Sequence, residues 1–420
     1  MNCGKKPELL LPAGTFRRLQ IAALYGADAV YCGMPGMSLR SGSELSRDEL
    51  AAGAKLLHDV GKKIYVALNL FSRNSDFDKL PEAAAFLREI APDGIIVADP
   101  AILVFMRDAA PEIPLHVSTQ ANVSSWATAK FWRGLGAELC VLAREISFAE
   151  ACEIRERVPD LRLEIFVHGA MCVSISGRCL LSAFMANRSA NRGKCAQPCR
   201  WEYDVYVEER KRPGEFVKIE EDSRGTYFMN SRDLCLLPEL PRILASGKID
   251  SLKIEGRNKS DYYVAQAARV YRTAIDAWFR DSAAWLPEPF MAELELMQNR
   301  GYTKGFFDGT PDDKAQNYAT SVSIGGAQNV GMVVNSRDSD FVRMDVRGKI
   351  SLGDEIEFLL PNEIAPMPVK ISELFDGTSG MPATTISAGR PDQTALLPAK
   401  LFRNNAREIR PFIMARKRAG

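Results

Sequence analysis

Five of the chain's nine cysteines, Cys172, Cys179, Cys195, Cys199 and Cys235, fall between residues 172 and 235. His168, one of only three histidines, stands just ahead of them. So dense a group of thiols calls for a chemical reason. A disulfide framework belongs to small secreted domains that cannot bury a core of their own, and a chain of 420 residues can. Structural zinc draws on close pairs with two to four residues between the ligands. Here six residues separate Cys172 from Cys179, and fifteen separate Cys179 from Cys195. Wide, uneven gaps suit an iron–sulfur cluster, a bulky ligand that gathers thiolates from several turns of loop. The plainer alternative is a set of buried apolar cysteines.

The elements that must position these thiols follow from an alternation of short apolar runs with amphipathic stretches. The runs are ELLLPAG (8–14), ADAVYCG (27–33), KIYVALNL (63–70), GIIVADP (94–100), PLHVSTQ (114–120), AELCVLAR (137–144), LRLEIFVHGA (161–170) and IDSLKIEGR (249–257). Continuous apolar runs with β-branched residues fit strands buried on both faces. Ser46, Ser124, Ser147 and Ser260 stand where helices between them would be capped, and Gly26, Gly61 and Gly136 where helices would end. Eight strand–helix units predict an α/β fold, a (β/α)8-type parallel barrel with helices outside. An open doubly wound sheet is the alternative. Chemistry in a barrel gathers at the C-terminal strand ends. Those ends read Tyr31 with Cys32, Asn69, Asp99, Gln120 with Asn122, Arg144, His168, and Glu255 with Arg257, a polar mouth. The cysteines begin directly beyond strand seven, over that mouth.

The barrel is expected over residues 1–282, with the cysteine-rich insertion at 171–235 after strand seven. Inside the insertion, YDVYVEE (203–209) and FVKIE (216–220) read as a hairpin around RKRPGE. Residues 283–318 read as a linker with a short helix. From 319 to 420 the patterns turn short and β-like, and predict a small C-terminal all-β barrel domain with a basic tail, ARKRAG. Apolar content of 46% and charged content of 25% are those of an ordinary soluble globular protein. No run approaches the roughly 20 apolar residues that cross a bilayer, and the N-terminus lacks the apolar core of a signal peptide. A cytoplasmic protein with no membrane partner is expected. A net charge of +1 argues against a general polyanion binder, so any nucleic acid must be gripped by local patches.

Other signals are weaker. His58 sits in a helix pattern and reads as a surface or packing residue, and His116 on strand five as a core histidine or a substrate ligand. Cys3, Cys32, Cys140 and Cys152 show no ligand spacing. No HExxH, GxSxG or GxxxxGK motif occurs. A Cys172–His168 peptidase dyad sits badly with so many neighbouring cysteines. Arg178, Arg188, Arg192, Lys194 and Arg200 are interleaved with Phe184, Trp201 and Tyr203, and Arg210, Lys211 and Arg212 cap the hairpin. Such a pattern neutralises phosphates and stacks on bases, or is a solvated charged loop.

ELLLPAG, GADAVYCG, the SLR at Ser38–Arg40, HVSTQAN, HGAMCVSISGRC, GKCAQPCRWEY and SLKIEGR together resemble the collagenase-like peptidase family of unknown class, number thirty-two, over essentially the whole chain. Despite that name, the resemblance implies an oxygen-independent hydroxylase with a 4Fe–4S cluster. Branches of the family act on ubiquinone precursors, on ribosomal RNA and on the wobble uridine of tRNA. The length, NRGYTKGFFDG and the C-terminal β region are similar to the tRNA branch. That branch implies prephenate-dependent hydroxylation of carbon five of the uridine, giving 5-hydroxyuridine. By motif, the implied cluster ligands are Cys172, Cys179, Cys195 and Cys235, with Cys199 as the alternative to Cys195. Prephenate is a dicarboxylate, and Arg binds carboxylates bidentately, so Arg257, Arg144 and Arg40 are the candidate anchors. Asn69, His116, Gln120, Asn122 and Lys253 complete the substrate-binding set. His168, Glu255 and Arg257 are the catalytic candidates, His168 for proton transfer. Arg192, Lys194, Arg200, Trp201 and Arg210 to Arg212 are the RNA-binding candidates. The expected partners are tRNA, prephenate and an electron-donor protein. Rival readings are a peptidase, a hydroxylase of another RNA or of a quinone precursor, and a tRNA-binding scaffold with a structural cluster.

Overall fold

The computed structural model describes the chain apart from residues 1–4, 40–43, 173, 176–177, 202, 204, 209, 215, 220–230, 312–314, 316–323, 336–339, 391, 403–408 and 419–420. Cys3 and Arg40 therefore lie outside the described residues. Eight parallel strands form a closed barrel. They are β1 (Glu8–Pro12), β2 (Ala29–Gly33), β3 (Lys63–Leu68), β4 (Gly94–Val97), β5 (Leu115–Val117), β6 (Leu139–Val141), β7 (Arg162–Ala170) and β8 (Ser251–Ile254). Each pairs with the next, and β8 closes the ring on β7 and β1. All eight fall on the apolar runs of the sequence. The physical reason is burial on both faces. Leu10, Ala29, Tyr31, Tyr65, Ala67 and Ile96 pack together in the interior, while alternate residues such as Leu9, Leu11, Val30, Ile64 and Val66 are equally inaccessible. A strand sealed on two sides has no polar alternation to display.

Ser46 and Ser147 each form a capping box, and the Ser260 hydroxyl accepts the Tyr263 N–H. Helix Trp126–Gly134 departs from expectation by one residue. Ser125, not Ser124, is its cap, because the Ser125 hydroxyl reaches the Thr128 N–H three residues on, the spacing a cap requires. Asp99 likewise caps helix Pro100–Ala109 through the Ala101 N–H at 2.8 Å, so one of its oxygens is engaged at a helix start.

The end of β7 carries the insertion. Strand Asp233–Cys235 returns antiparallel to it with Cys235 opposite His168, and Tyr302–Thr303 adds a further parallel strand. The hairpin pairs Val205–Glu208 with Phe216–Ile219.

The chain forms two compact units. The first comprises Met1–Leu19, Asp28–Asn258 and Asn299–Ile324, and contains the barrel and its insertion. The second comprises Gln20–Ala27, Lys259–Gln298 and Gly325–Gly420. Its sheet is separate from the barrel, antiparallel throughout, and runs in the order Met367–Lys370, Glu355–Leu359, Met414–Arg418, Ala327–Asn335, Phe341–Val346, Thr394–Pro398, Phe375–Asp376. The two outer strands do not pair with each other among the described residues, which makes the sheet a half-barrel. Its core is apolar, with Val330, Met344, Phe358 and Leu397 fully or almost fully buried. In the same unit, the Glu293 carboxylate accepts from both Arg269 and Arg416, and Arg416 also reaches Glu357 at 2.6 Å. Two buried guanidinium charges are thus each matched by carboxylate, the condition under which such charges are tolerated. No helix among the described residues is long and apolar enough to cross a membrane.

Candidate active site at the mouth of the barrel

The barrel interior holds a charge pair beneath the mouth, with Glu164 near the start of β7. The Lys253 ammonium donates to Glu164 at 2.7 Å, and Ser251 donates to the other carboxylate oxygen at 2.8 Å. The ammonium lies 4.4 Å from the Tyr31 ring centroid and 5.6 Å from that of Phe166. These aromatic faces add to the stabilisation of a desolvated cation. The Tyr31 hydroxyl in turn stands 3.3 Å from a carboxylate oxygen of Glu255.

Arg257 is buried on the next turn of chain. It donates to the Ser38 hydroxyl at 3.1 Å, and its guanidinium lies 5.8 Å from the Tyr31 ring. Gly33 makes room for it, since a Cβ there would stand 2.8 Å from the Arg257 Nη1. Burial pushes the neighbouring Cys32 thiol up to about 12, with the Arg257 charge opposing the rise. Burial also raises the Glu44 carboxyl, against hydrogen bonds from Gly36 and Ser38 and the charge of Arg257. Lys253, Glu255 and Arg257, predicted from a single strand end, are therefore gathered around Tyr31.

His168 is buried, with its ring 5.6 Å from that of Tyr302. Its carbonyl accepts the Glu255 N–H at 2.9 Å. The chains approach so closely that a Cβ at Gly169 (φ +119°) would stand 2.6 Å from the Glu255 carbonyl oxygen, so this position takes glycine. Around the rim, the Asn69 amide donates to Gln120 at 3.1 Å and accepts the Leu39 N–H at 3.3 Å. Asn122 ends the turn Thr119–Ala121 in a left-handed conformation. Arg144 is tied to the Ala170 carbonyl at 2.9 Å and lies 5.0 Å from the Phe166 ring. It also lines a small pocket with Phe148, Lys304 and Phe307.

His116 is placed elsewhere. Its ring packs edge-on against Tyr65 at 4.7 Å. Its pKa is lowered to about 3, first by burial and then by Arg162, Lys253 and Lys63. Arg162 and Lys63 open their strands, so His116 belongs to the layer at the N-terminal end of the barrel, below the mouth.

Every described cysteine is a free thiol. Burial raises the pKa of Cys199 and Arg200 opposes it, while Cys172, Cys195 and Cys179 add to the rise, so these four thiols share one electrostatic neighbourhood. Two hydrogen bonds brace the loops that carry them. The Cys179 N–H donates to Asn191 at 2.9 Å, and the Ala196 N–H donates to the buried Ser182 hydroxyl at 2.9 Å. Cys235 is buried on its strand. Among the described residues, no group of three or more His, Cys, Asp or Glu side chains is arranged to hold a single metal ion. A soft, all-thiol donor set spread over several loop turns nonetheless fits an iron–sulfur cluster by its chemistry.

Lys194, Trp201, Arg210, Lys211 and Arg212 are exposed, with the Trp201 ring 6.5 Å from Tyr203. For Arg192 only the backbone is described, in the turn Ala190–Arg192. Arg200 is half-buried and donates to the Gln197 side-chain oxygen at 2.6 Å. Its pKa is lowered by burial and by Arg300, with Cys199, Asp233 and Cys172 opposing. Sequence reasoning passed over Glu164 and Tyr302. Glu164 was detectable as a lone carboxylate in the otherwise apolar β7 run. Tyr302 had no such signal.

A closed (β/α)8 barrel with a polar mouth and a thiol-rich insertion after its seventh strand defines a class of candidate enzyme. Residues 14–317 match the model of peptidase family U32, and the chain belongs to that family. It is 40% identical over 397 residues to the tRNA hydroxylation protein P of Escherichia coli, covering 85% of this chain and 86% of that protein. It is 40% identical over 375 residues to the tRNA hydroxylation protein P1 of Bacillus subtilis, covering 89% and 87%. A collagenase of Porphyromonas gingivalis is 29% identical over 367 residues, covering 83% and 85%.

Proposed function

We propose that this chain is a cytoplasmic tRNA-modifying enzyme that hydroxylates carbon five of the wobble uridine. Prephenate is its co-substrate, a 4Fe–4S cluster its cofactor, and dioxygen is not used. The observation that carries the reading is the 40% identity, over most of both chains, to proteins named for tRNA hydroxylation. Free thiols sharing one neighbourhood beyond β7 support the cofactor.

In this reading the cluster is held by Cys172, Cys179, Cys195 and Cys235, and supplies one-electron redox chemistry when bound. Arg257, kept desolvated by its burial, grips a carboxylate of prephenate. Lys253 adds positive potential from below, and Asn69 and Gln120 contribute amide groups at the rim. His168 holds or releases a proton at the end of β7. The target uridine, unpaired in the anticodon loop, is splayed into the mouth at modest cost. Trp201 offers a stacking face, and Arg210 to Arg212 neutralise phosphates.

Mass spectrometry of tRNA nucleosides from cells with and without the protein tests the reading. Loss of 5-hydroxyuridine derivatives in the deletion strain is expected. Unchanged levels, with no redundant pathway present, would overturn it.

A further inference from the structure

We infer that Arg178 is a positioning residue, a latch that seats the Cys179 loop on the barrel mouth and couples the state of the mouth to the thiols. The inference rests on the iron–sulfur reading for its functional meaning, and on geometry for its existence.

Arg178 immediately precedes Cys179. Its Nε and Nη2 both donate to the Gln120 carbonyl, at 3.0 and 2.6 Å, and its guanidinium lies 5.4 Å from the Phe71 ring centroid. A fork of two donors on one acceptor, combined with an aromatic face, is geometry that guanidinium supplies and ammonium does not. Gln120 is held from the other side, its side chain accepting from Asn69 at 3.1 Å. The next link is the Cys179 N–H, which donates to Asn191 at 2.9 Å. An unbroken line of contacts therefore runs from the rim residues Asn69 and Gln120, through Arg178, to a thiol-bearing loop. A substrate that engages Asn69 or Gln120 shifts the point on which Arg178 hangs, and with it Cys179. The sequence pattern groups Arg178 with the phosphate-gripping cations, but its guanidinium is turned onto the barrel.

The test compares anaerobically loaded wild-type holoenzyme with Arg178→Ala, Arg178→Lys and Phe71→Leu. The paramagnetic spectrum of the reduced cluster is recorded before and after addition of an anticodon stem-loop and prephenate. A substrate-induced spectral change is expected in the wild type and is lost in Arg178→Ala. Turnover should fall roughly tenfold, the scale of a lost charge-assisted hydrogen bond, while KM for tRNA stays within about twofold. Phe71→Leu, which removes only the aromatic face, should act in the same direction and more weakly. A rise in KM for tRNA with the spectral change intact would mean that Arg178 grips phosphate, and would overturn the latch. A second readout uses the metal-free full-length protein. Alkylation of Cys179 by iodoacetamide, followed by peptide mass spectrometry, should be roughly tenfold faster in Arg178→Ala, with Cys195 unaffected. Equal rates at Cys179 overturn the proposal. Because this measurement needs no iron, a protein that loads no cluster defeats the functional reading without deciding the latch.

Discussion

Lys253 on β8 and Glu164 on β7, 89 positions apart in the chain, meet inside the barrel through a 2.7 Å hydrogen bond, and both are almost sealed from solvent. Removing one partner strands the other charge in a medium that solvates it poorly. Lys253→Met should therefore cost about 3–5 kcal/mol in urea unfolding. Lys253→Met combined with Glu164→Leu should recover much of that loss, because the pair as a whole offsets its own desolvation. Equal stability of the single and double variants would contradict the coupling.

Gly33 offers a way to move Arg257 without deleting its charge. A Cβ there would stand 2.4 Å from the Ser38 hydroxyl oxygen and 2.8 Å from the guanidinium that donates to it, so both would have to shift. Gly33→Ala should reduce hydroxylation by roughly a hundredfold, the scale of an ångström-sized misplacement, with iron content unchanged. Wild-type turnover in this variant would remove Arg257 from the site.

The fourth ligand of the proposed cluster can be decided between two thiols. Cys199 shares the neighbourhood of Cys172, Cys179 and Cys195, whereas Cys235 sits on a regular strand opposite His168. With Cys235 as ligand, Cys235→Ala should lose iron and the visible absorbance, and Cys199→Ala should keep both. The reverse pattern, read by iron analysis after anaerobic purification, would transfer the role to Cys199.

His116 makes a prediction about pH. Its folded pKa of about 3 lies below the ordinary 6.5, because burial and three cations disfavour the imidazolium. Between those values the unfolded chain binds the proton and the folded chain does not. Stability is therefore whole above pH 6.5 and declines as the pH falls towards 3. From pH 7 to pH 5 this amounts to about 2 kcal/mol. His116→Phe should flatten the decline by that amount in urea titrations at the two pH values. An unchanged slope would mean that His116 is not held neutral.

The eight strands were legible because a parallel barrel buries both faces of every strand, and that demand writes continuous apolar runs into the sequence. Capping serines were legible to within a residue, since a cap is a local hydrogen bond. The Ser125-for-Ser124 correction marks the limit of that resolution. The density of thiols between Cys172 and Cys235 marks a candidate site in the sequence alone. Other features depended on chain closure. Whether a strand residue points into the mouth or the opposite layer depends on register and strand stagger, which sets His116 among Arg162, Lys253 and Lys63 and away from the rim residues Asn69 and Gln120. The fastening of Arg178 to Gln120 is a contact between segments with no periodicity linking them. Local pattern specifies which residues are apolar, capped or clustered. Only the closed barrel determines which cation faces a carboxylate, a thiol or the solvent, because that choice rests on partners brought together from distant parts of the chain.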